Sequence, residues 1–167
     1  MVLPLSMRLA QLKKRTLLID ADLRKPGMTA MMGLKAQPGV ADVLRGNALG
    51  NRLAGLDGDD RLIGRAGDDD LEGGEGNDVL IGGGGNDSLD GGAGIDTVSF
   101  ASAGGALTVD LGLTSVQNTG AGKDLVRRIE NAIGGAGDDS LTGNGSANAL
   151  SGGAGADTLV GRAGDDE

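Results

Sequence analysis

The most regular chemical feature of the chain is a column of acidic side chains spaced nine residues apart. It contains Asp60, Asp69, Asp78, Asp87 and Asp96. Calcium prefers roughly six to eight hard oxygen ligands, such as carboxylates and carbonyls. The sequence has no His and no Cys, which excludes thiolate zinc sites and most transition-metal sites. The column therefore indicates binding of a hard cation.

Each aspartate belongs to a nine-residue unit with three other fixed positions. A large aliphatic residue follows the acidic position by two residues, at Leu62, Leu71, Leu80, Leu89 and Val98, and Leu53 extends this column. One glycine column contains Gly55, Gly64, Gly73, Gly82 and Gly91. The other contains Gly58, Gly67, Gly76, Gly85 and Gly94. Four columns in phase predict a repeating structural unit.

The same spacing returns in a new phase towards the C-terminal end. Leu141, Leu150 and Leu159 are preceded two residues earlier by Asp139, Asn148 and Asp157. Asp166 opens a unit that the end of the given sequence interrupts, so we expect this second array to be cut short.

The stretch between the two arrays is predicted to be an insertion that resets the phase. Leu107, Val109 and Leu111 alternate in it as they would in a strand. Asn131 with Ile133 resembles a weak extra unit. We accordingly divide the chain into residues 1–46, a first array at 47–99, an insertion at 100–133 and a second array at 134–167.

The composition of a unit predicts its local structure. Glycine allows tight turns with positive φ and close backbone approach, so the six positions up to the aspartate favour a turn. The next three residues suit a short strand whose aliphatic side chain points inward. Two units would form one flat coil, and successive coils would stack as parallel strands about 4.8 Å apart. The predicted fold class is all-β.

Charge and composition restrict the partners of this region. Residues 51–167 carry seven Lys and Arg against twenty-one Asp and Glu, a net charge of −14, whereas residues 1–50 carry +5. The acidic part would repel nucleic acid and anionic membranes and attract multivalent cations. No apolar run approaches the roughly 20 residues of a membrane span, and no secretion signal is readable.

These units resemble the RTX, or hemolysin-type, calcium-binding nonapeptide GGxGxDxUx. Residues 73–81 and 82–90 match it at every defined position, whereas residues 64–72 depart from it at Arg65. The resemblance implies a parallel β-roll that holds Ca²⁺ between units i and i+2. The implied pairs are Asp60 with Asp78, Asp69 with Asp87, Asp78 with Asp96, Asp139 with Asp157, and more weakly Asn148 with Asp166.

The resemblance also implies other properties of the protein. The carbonyls of the second glycine column, Gly58, Gly67, Gly76, Gly85 and Gly94, are expected to supplement the carboxylates. An extracellular, secreted bacterial protein is implied, in which this chain serves a larger parent as a structural module. No H-E-x-x-H or G-x-S-x-G motif is present, so no catalytic centre is expected in this chain.

The N-terminal segment has a different resemblance. Residues 16–46, with Asp20 and Asp22 after an apolar run, look like the Walker A′ region of bacterial exopolysaccharide tyrosine autokinases. No G-x-x-x-x-G-K-[ST] phosphate loop is present, so residues 1–46 are interpreted as an incomplete α/β-type, P-loop-kinase-like fragment. The alternative function for the chain is a fragment of a nucleotide-binding exopolysaccharide regulator fused to a repeat tail.

Overall fold

The computed structural model describes residues 43–167, and this part of the chain consists of short strands joined by turns. No helix in it is long and apolar enough to cross a membrane. The first seven strands are β1 (Val43–Arg45), β2 (Arg52–Asp57), β3 (Arg61–Ala66), β4 (Asp70–Glu75), β5 (Val79–Gly84), β6 (Ser88–Ala93) and β7 (Thr97–Ser99). The others are β8 (Thr108–Asp110), β9 (Gln117–Asn118), β10 (Lys123–Arg127), β11 (Asn131–Ile133), β12 (Ser140–Thr142), β13 (Leu150–Ser151) and β14 (Thr158–Val160).

The strands stack as a parallel β-solenoid in which two units form one coil. The odd-numbered strands of the first array, followed by β11 and β13, form one sheet in the order β1-β3-β5-β7-β11-β13. The even-numbered strands of the first array, followed by β10 and β9, form another in the order β2-β4-β6-β10-β9. Leu62 is opposite Leu80, and Leu80 is opposite Val98, so partners are 18 residues apart. The all-β fold and the two-unit coil are therefore confirmed.

The core is the aliphatic ladder inside the coils. Leu62, Leu71 and Leu80 are fully buried, and Val98 and Phe100 belong to the same apolar cluster, which continues to Leu141. Because successive residues of a strand point to opposite faces, each three-residue step contributes one such side chain.

The strands of the first array are longer than the three residues predicted. Each of β2 to β6 has six residues, because pairing resumes beyond the first glycine column. Arg65 pairs with Gly83, and Ala66 with Gly84. The residue after that column has positive φ, as at Gly83 (109°) and Gly92 (109°), which bends the strand into the turn.

The insertion continues the coil by a different route. Strand β10 pairs with β6 and places Val126 opposite Leu89, and β11 pairs with β7 and places Ala132 opposite Val98. The prediction of a weak unit at Asn131 and Ile133 is therefore one residue out of register. Ala132 occupies the buried aliphatic position, while Ile133 is 36% exposed.

The second array starts from the insertion. Strand β8 pairs with β12, which pairs with β14, and these form a third parallel sheet. Strand β9 lies antiparallel to β10, and Thr108 donates a hydrogen bond from its backbone N to Thr119 O. Residues 108–119 thus connect the sheet of β10 to that of β12.

The solenoid begins earlier than the predicted boundary at residue 47. Strand β1 pairs with β3, with Leu44 opposite Leu62, although residues 43–46 were assigned to the N-terminal fragment. The predicted boundary is therefore too late, because residues 43–45 form the first strand of the odd-numbered sheet among the residues that the structure describes. The interpretation of residues 16–42 lies outside the described residues.

The two broad faces of the first array carry different side chains. On the even-numbered sheet, Arg52 lies 3.7 Å from Asp70 and 3.7 Å from Glu72, as exposed ion pairs. On the odd-numbered sheet the outward positions beside Leu62 and Leu80 include the half-buried Ile63, Val79 and Ile81. One face therefore carries ion pairs between neighbouring strands, whereas the other combines these aliphatic side chains with the exposed Arg45 and Arg61.

Adjacent glycines of β5 provide a test of the turn geometry. A Cβ on Gly83 would require an L residue at φ 109° and would overlap Arg65 O, whereas a Cβ on Gly84 meets nothing within 4 Å. We expect Gly83→Ala to destabilise the folded state by more than about 1–2 kcal/mol, and Gly84→Ala to change it by less than about 0.5 kcal/mol. Denaturant titration of both variants in saturating calcium measures this difference, and equal effects would contradict the geometry.

Candidate metal centre

The aspartates of the first array form two ladders, one along each edge of the solenoid. Asp60 and Asp78 each donate a hydrogen bond from the backbone N to the Oδ1 of the aspartate one coil further on, Asp78 and Asp96, at 2.7 and 2.8 Å. On the other edge, Asp69 N donates to Asp87 Oδ1 at 2.9 Å. The structure thus brings together the three pairs that the sequence predicts for this array.

The second carboxylate oxygen distinguishes this site from an ordinary turn. Asp69, Asp78 and Asp96 are at most 2% exposed, and the Oδ2 atom of each is buried without a hydrogen bond. A buried carboxylate is costly unless it is paired, hydrogen-bonded or bound to a metal. Three such oxygens at equivalent positions are therefore candidate ligands for a cation.

A carbonyl oxygen accompanies each of these Oδ2 atoms. A Cβ added to Gly64 would overlap Asp69 Oδ2 and meet Gly82 O, and a Cβ added to Gly73 would overlap Asp78 Oδ2 and Gly91 O. Each turn therefore places one carboxylate oxygen and one carbonyl of the following coil around a glycine that has no side chain. These are hard oxygens of the kind that calcium prefers.

Backbone carbonyls are essential to this arrangement. Among residues 43–167 no group of three or more acidic side chains is close enough to hold a metal ion by itself. A cation in these turns would draw on one or two carboxylates and on carbonyls from two coils.

The electrostatic state of the aspartates agrees with this geometry. Burial raises the pKa of Asp69 and of Asp96 to about 6, against the opposing effect of the backbone N–H that each accepts. Burial also raises the pKa of Asp78 and Asp87. Without a cation, the ionised form of each carboxylate is disfavoured in the folded state.

The residues that precede the aspartates stabilise the turns. Asn77 donates from its backbone N to Asp59 Oδ1 at 2.7 Å, and Ile95 donates in the same way to Asn77 Oδ1 at 2.8 Å. These bonds run from one coil back to the previous one, opposite to those of the buried aspartates. They therefore hold neighbouring turns together without using the buried carboxylates.

The second glycine column has a conformational role in the structure. Gly58, Gly67, Gly76, Gly85 and Gly94 all have positive φ, between 105° and 137°. A Cβ on Gly76 would overlap Gly58 O, so the turns stack too closely for a side chain. The carbonyls beside Asp69 Oδ2 and Asp78 Oδ2 are those of Gly82 and Gly91 in the first glycine column, and the carbonyl beside Asp96 Oδ2 is that of Arg128. Ligation by the second column stays a prediction.

Three members of the ladders were missed by sequence reasoning. Asn51 donates from its backbone N to Asp69 Oδ1, Asp87 N donates to Asp124 Oδ1, and Asp96 N donates to Glu130 Oε2. The three missed members are Asn51, Asp124 and Glu130. Each lies two residues before an inward-facing side chain, namely Leu53, Val126 and Ala132 in that order. That offset is the signal that could have identified them.

The second array repeats the ladder with differences. Asp139 N donates to Asp157 Oδ1 at 2.9 Å, and Asn148 N donates to Asp166 Oδ1 at 3.0 Å, so both predicted pairs are brought together. Asp139 Oδ1 also accepts Leu107 N, and its Oδ2 accepts Gly135 N. Asp157 is half-buried and Asp166 is exposed, unlike the aspartates of the first array.

These features define a β-solenoid with oxygen-lined turns suited to hard cations. A family model for four copies of the RTX calcium-binding nonapeptide repeat matches residues 45–80, 63–98 and 130–167, which together cover more than half of the chain. The chain therefore belongs to the RTX calcium-binding repeat family. A comparison with curated proteins found no match.

The ladder predicts a large effect for one aspartate. Asp78 Oδ1 accepts a hydrogen bond from Asp60 N, and Asp78 N donates to Asp96 Oδ1, so Asp78→Ala should weaken two turns. The calcium midpoint of folding should rise, by about 1.4 kcal/mol in free energy for each turn if a site binds at about 10⁻⁴ M and calcium is millimolar. Glu75→Ala, at an exposed carboxylate, is the control for charge and should shift the midpoint little. Equal shifts for Asp78→Ala and Glu75→Ala in calcium titrations would argue against the paired turns.

The raised pKa values of Asp69 and Asp96, about 6, predict opposite effects of acid with and without calcium. The folded carboxylates bind protons more tightly than unfolded ones, so in chelator the folded state should gain stability as the pH falls through about 6 towards 4. In calcium, protons compete with the ion, so the calcium midpoint should rise over the same range. Circular dichroism at several pH values measures both, and the absence of any gain of β-structure between pH 6 and pH 4 in chelator would contradict the prediction.

Proposed function

We propose that this chain is a structural calcium-binding module whose repeats fold when calcium binds. The observation that carries the proposal is the set of buried carboxylate oxygens without hydrogen bonds at Asp69, Asp78 and Asp96. The net charge of −14 over residues 51–167 supports it, because stacked carboxylates repel one another until a cation neutralises them.

Particular residues would hold the ions. In the first array each site would combine a buried aspartate with the carbonyl of the glycine that opens the next turn on the same edge, as Asp69 with Gly82 and Asp78 with Gly91. The partner aspartates of these turns are Asp87 and Asp96. Bound calcium supplies positive charge and the capacity to bind several oxygens at once. The residues supply the fixed geometry, because Oδ1 of each aspartate is already held by a backbone N–H.

The proposed role is structural and extracellular. Sites with dissociation constants of about 10⁻⁴ to 10⁻³ M are typical of extracellular calcium modules. RTX membership supports secretion of the parent protein, and folding would then begin where calcium reaches millimolar concentration. Any catalytic activity of the parent is assigned to residues outside this chain.

The decisive experiment is a calcium titration of the whole chain followed by far-UV circular dichroism. In chelator we expect residues 43–167 to lack most of their β-structure and to gain it cooperatively between about 0.1 and 10 mM calcium. Magnesium should be much less effective, because it demands octahedral geometry and dehydrates reluctantly.

A variant separates calcium binding from non-specific charge screening. Replacing Asp69, Asp78 and Asp96 together by Asn keeps their size and removes the carboxylates that calcium would neutralise. This variant should no longer respond to calcium, whereas added sodium chloride at equal ionic strength should not fold the native chain. A β-sheet spectrum independent of calcium would refute the proposal.

A further inference from the structure

One turn of the second array is closed by side-chain amides. Asn148 is 2% exposed, and its Nδ2 donates hydrogen bonds to Glu130 O at 2.6 Å and to Asn144 Oδ1 at 3.1 Å. Asn144 donates from its backbone N to Asn148 Oδ1 and from its Nδ2 to Ile129 O, at 2.8 and 2.9 Å. The amide of Asn148 therefore has partners on both its oxygen and its nitrogen.

The carbonyl of Gly143 also receives a side-chain donor. Gly143 opens the turn that ends at Asn148, as Gly91 opens the turn that ends at Asp96. Gly91 O lies beside Asp78 Oδ2, but Gly143 O accepts a hydrogen bond of 2.8 Å from Arg162 Nη1. The same guanidinium forms a 2.6 Å ion pair with Asp110.

Between the turn at residues 129–130 and the turn that ends at Asn148, side-chain N–H groups therefore donate hydrogen bonds to three carbonyls. These are the carbonyls of Ile129, Glu130 and Gly143. At the equivalent step between two turns of the first array, a buried carboxylate oxygen without a hydrogen bond lies beside a carbonyl, as at Asp78. A donor amide and a guanidinium bring positive partial or full charge to carbonyl oxygens. These donors therefore supply the positive charge that a cation would supply in the turns of the first array.

We propose that the coil step from the turn at Ile129 and Glu130 to the turn at Asn148, the amide-closed step, takes no calcium and remains paired when calcium is absent. This inference rests on the proposed function only in its contrast with the calcium-dependent steps of the first array. The expected weak site at Asn148 and Asp166 belongs to the next coil step, where Asn148 N donates to Asp166 Oδ1, and it stays a prediction.

Neighbouring contacts support a metal-independent junction. Asp124, which continues the first array's ladder, accepts a hydrogen bond from the Thr119 hydroxyl at its Oδ2. Arg127 and Arg128 form ion pairs with Asp90, at 3.5 and 2.7 Å. The oxygens that are left without partners in the first array are here satisfied by the protein itself.

Hydrogen exchange of the full chain in chelator and in calcium tests the inference. In the amide-closed step, Ala132 N donates to Ala149 O and Gly134 N to Ser151 O. In chelator we expect these amides to exchange about tenfold or more slowly than Val79 N and Ser88 N, which donate to Asp60 O and Asp69 O in the first array. Calcium should slow the exchange of the first array strongly and that of the amide-closed step little.

A pair of isosteric substitutions identifies the donor responsible. Asn148→Asp removes the Nδ2 donor and places a carboxylate oxygen beside Glu130 O, so Ala132 and Gly134 should lose protection in chelator and regain it in calcium. Asn77→Asp is the matched control, because Asn77 contributes its oxygen to Ile95 N and Asp keeps that acceptor. It should change protection at Ala132 by less than about twofold.

The outcomes separate this inference from the proposed function. Rapid exchange of Ala132 and Gly134 in chelator, together with calcium-induced protection of Val79, would overturn the amide-closed step and leave the proposed function intact. Protection unaffected by calcium anywhere would refute the proposed function, while loss of protection in Asn148→Asp would still support the step. Unchanged protection at Ala132 in Asn148→Asp in chelator would overturn the inference in either case.

Discussion

The structure depends on how a buried carboxylate divides its two oxygens between two tasks. Oδ1 of Asp78 accepts a backbone N–H from the preceding coil and so sets the distance and register between the coils. Oδ2 has no hydrogen bond and lies beside a carbonyl, which makes it a source of repulsion until a cation neutralises it. The same side chain thus stabilises the stack of coils through Oδ1 and destabilises it through the repulsion at Oδ2. The core offers little to offset this repulsion, because each unit buries only one aliphatic side chain.

Much of this arrangement follows from a strict sequence period. Because the step of nine is constant from Asp60 to Asp96, the alternation of strands between two sheets and the 18-residue pairing could be derived without coordinates. The buried ladder from Leu62 to Val98 was equally predictable, since each three-residue strand has one inward position. The length of the strands was not, because it depends on pairing beyond a positive-φ residue that the pattern does not specify.

The junction between the arrays escaped prediction for a physical reason. Ladder partners there are 37 residues apart for Asp87 and Asp124 and 34 apart for Asp96 and Glu130, so no fixed period reveals them. Glu130 fills an aspartate position from a shortened turn, and Ala132 fills an aliphatic position with a small side chain. Asn148 illustrates the same limit, since its resemblance to aspartate in shape conceals that its nitrogen is a donor.

The contrast between the two broad faces gives the solenoid a sidedness that its repeat does not require. The turn chemistry lies along the edges and the aliphatic ladder lies inside, so neither constrains the outward positions of β2 to β6. One face carries the ion-paired side chains of Arg52, Asp70 and Glu72, and the other carries Ile63 and Val79. Substitutions at these outward positions can therefore change the solubility or adhesion of either face. The aspartates of the turns and the buried aliphatic ladder, on which folding depends, would stay the same.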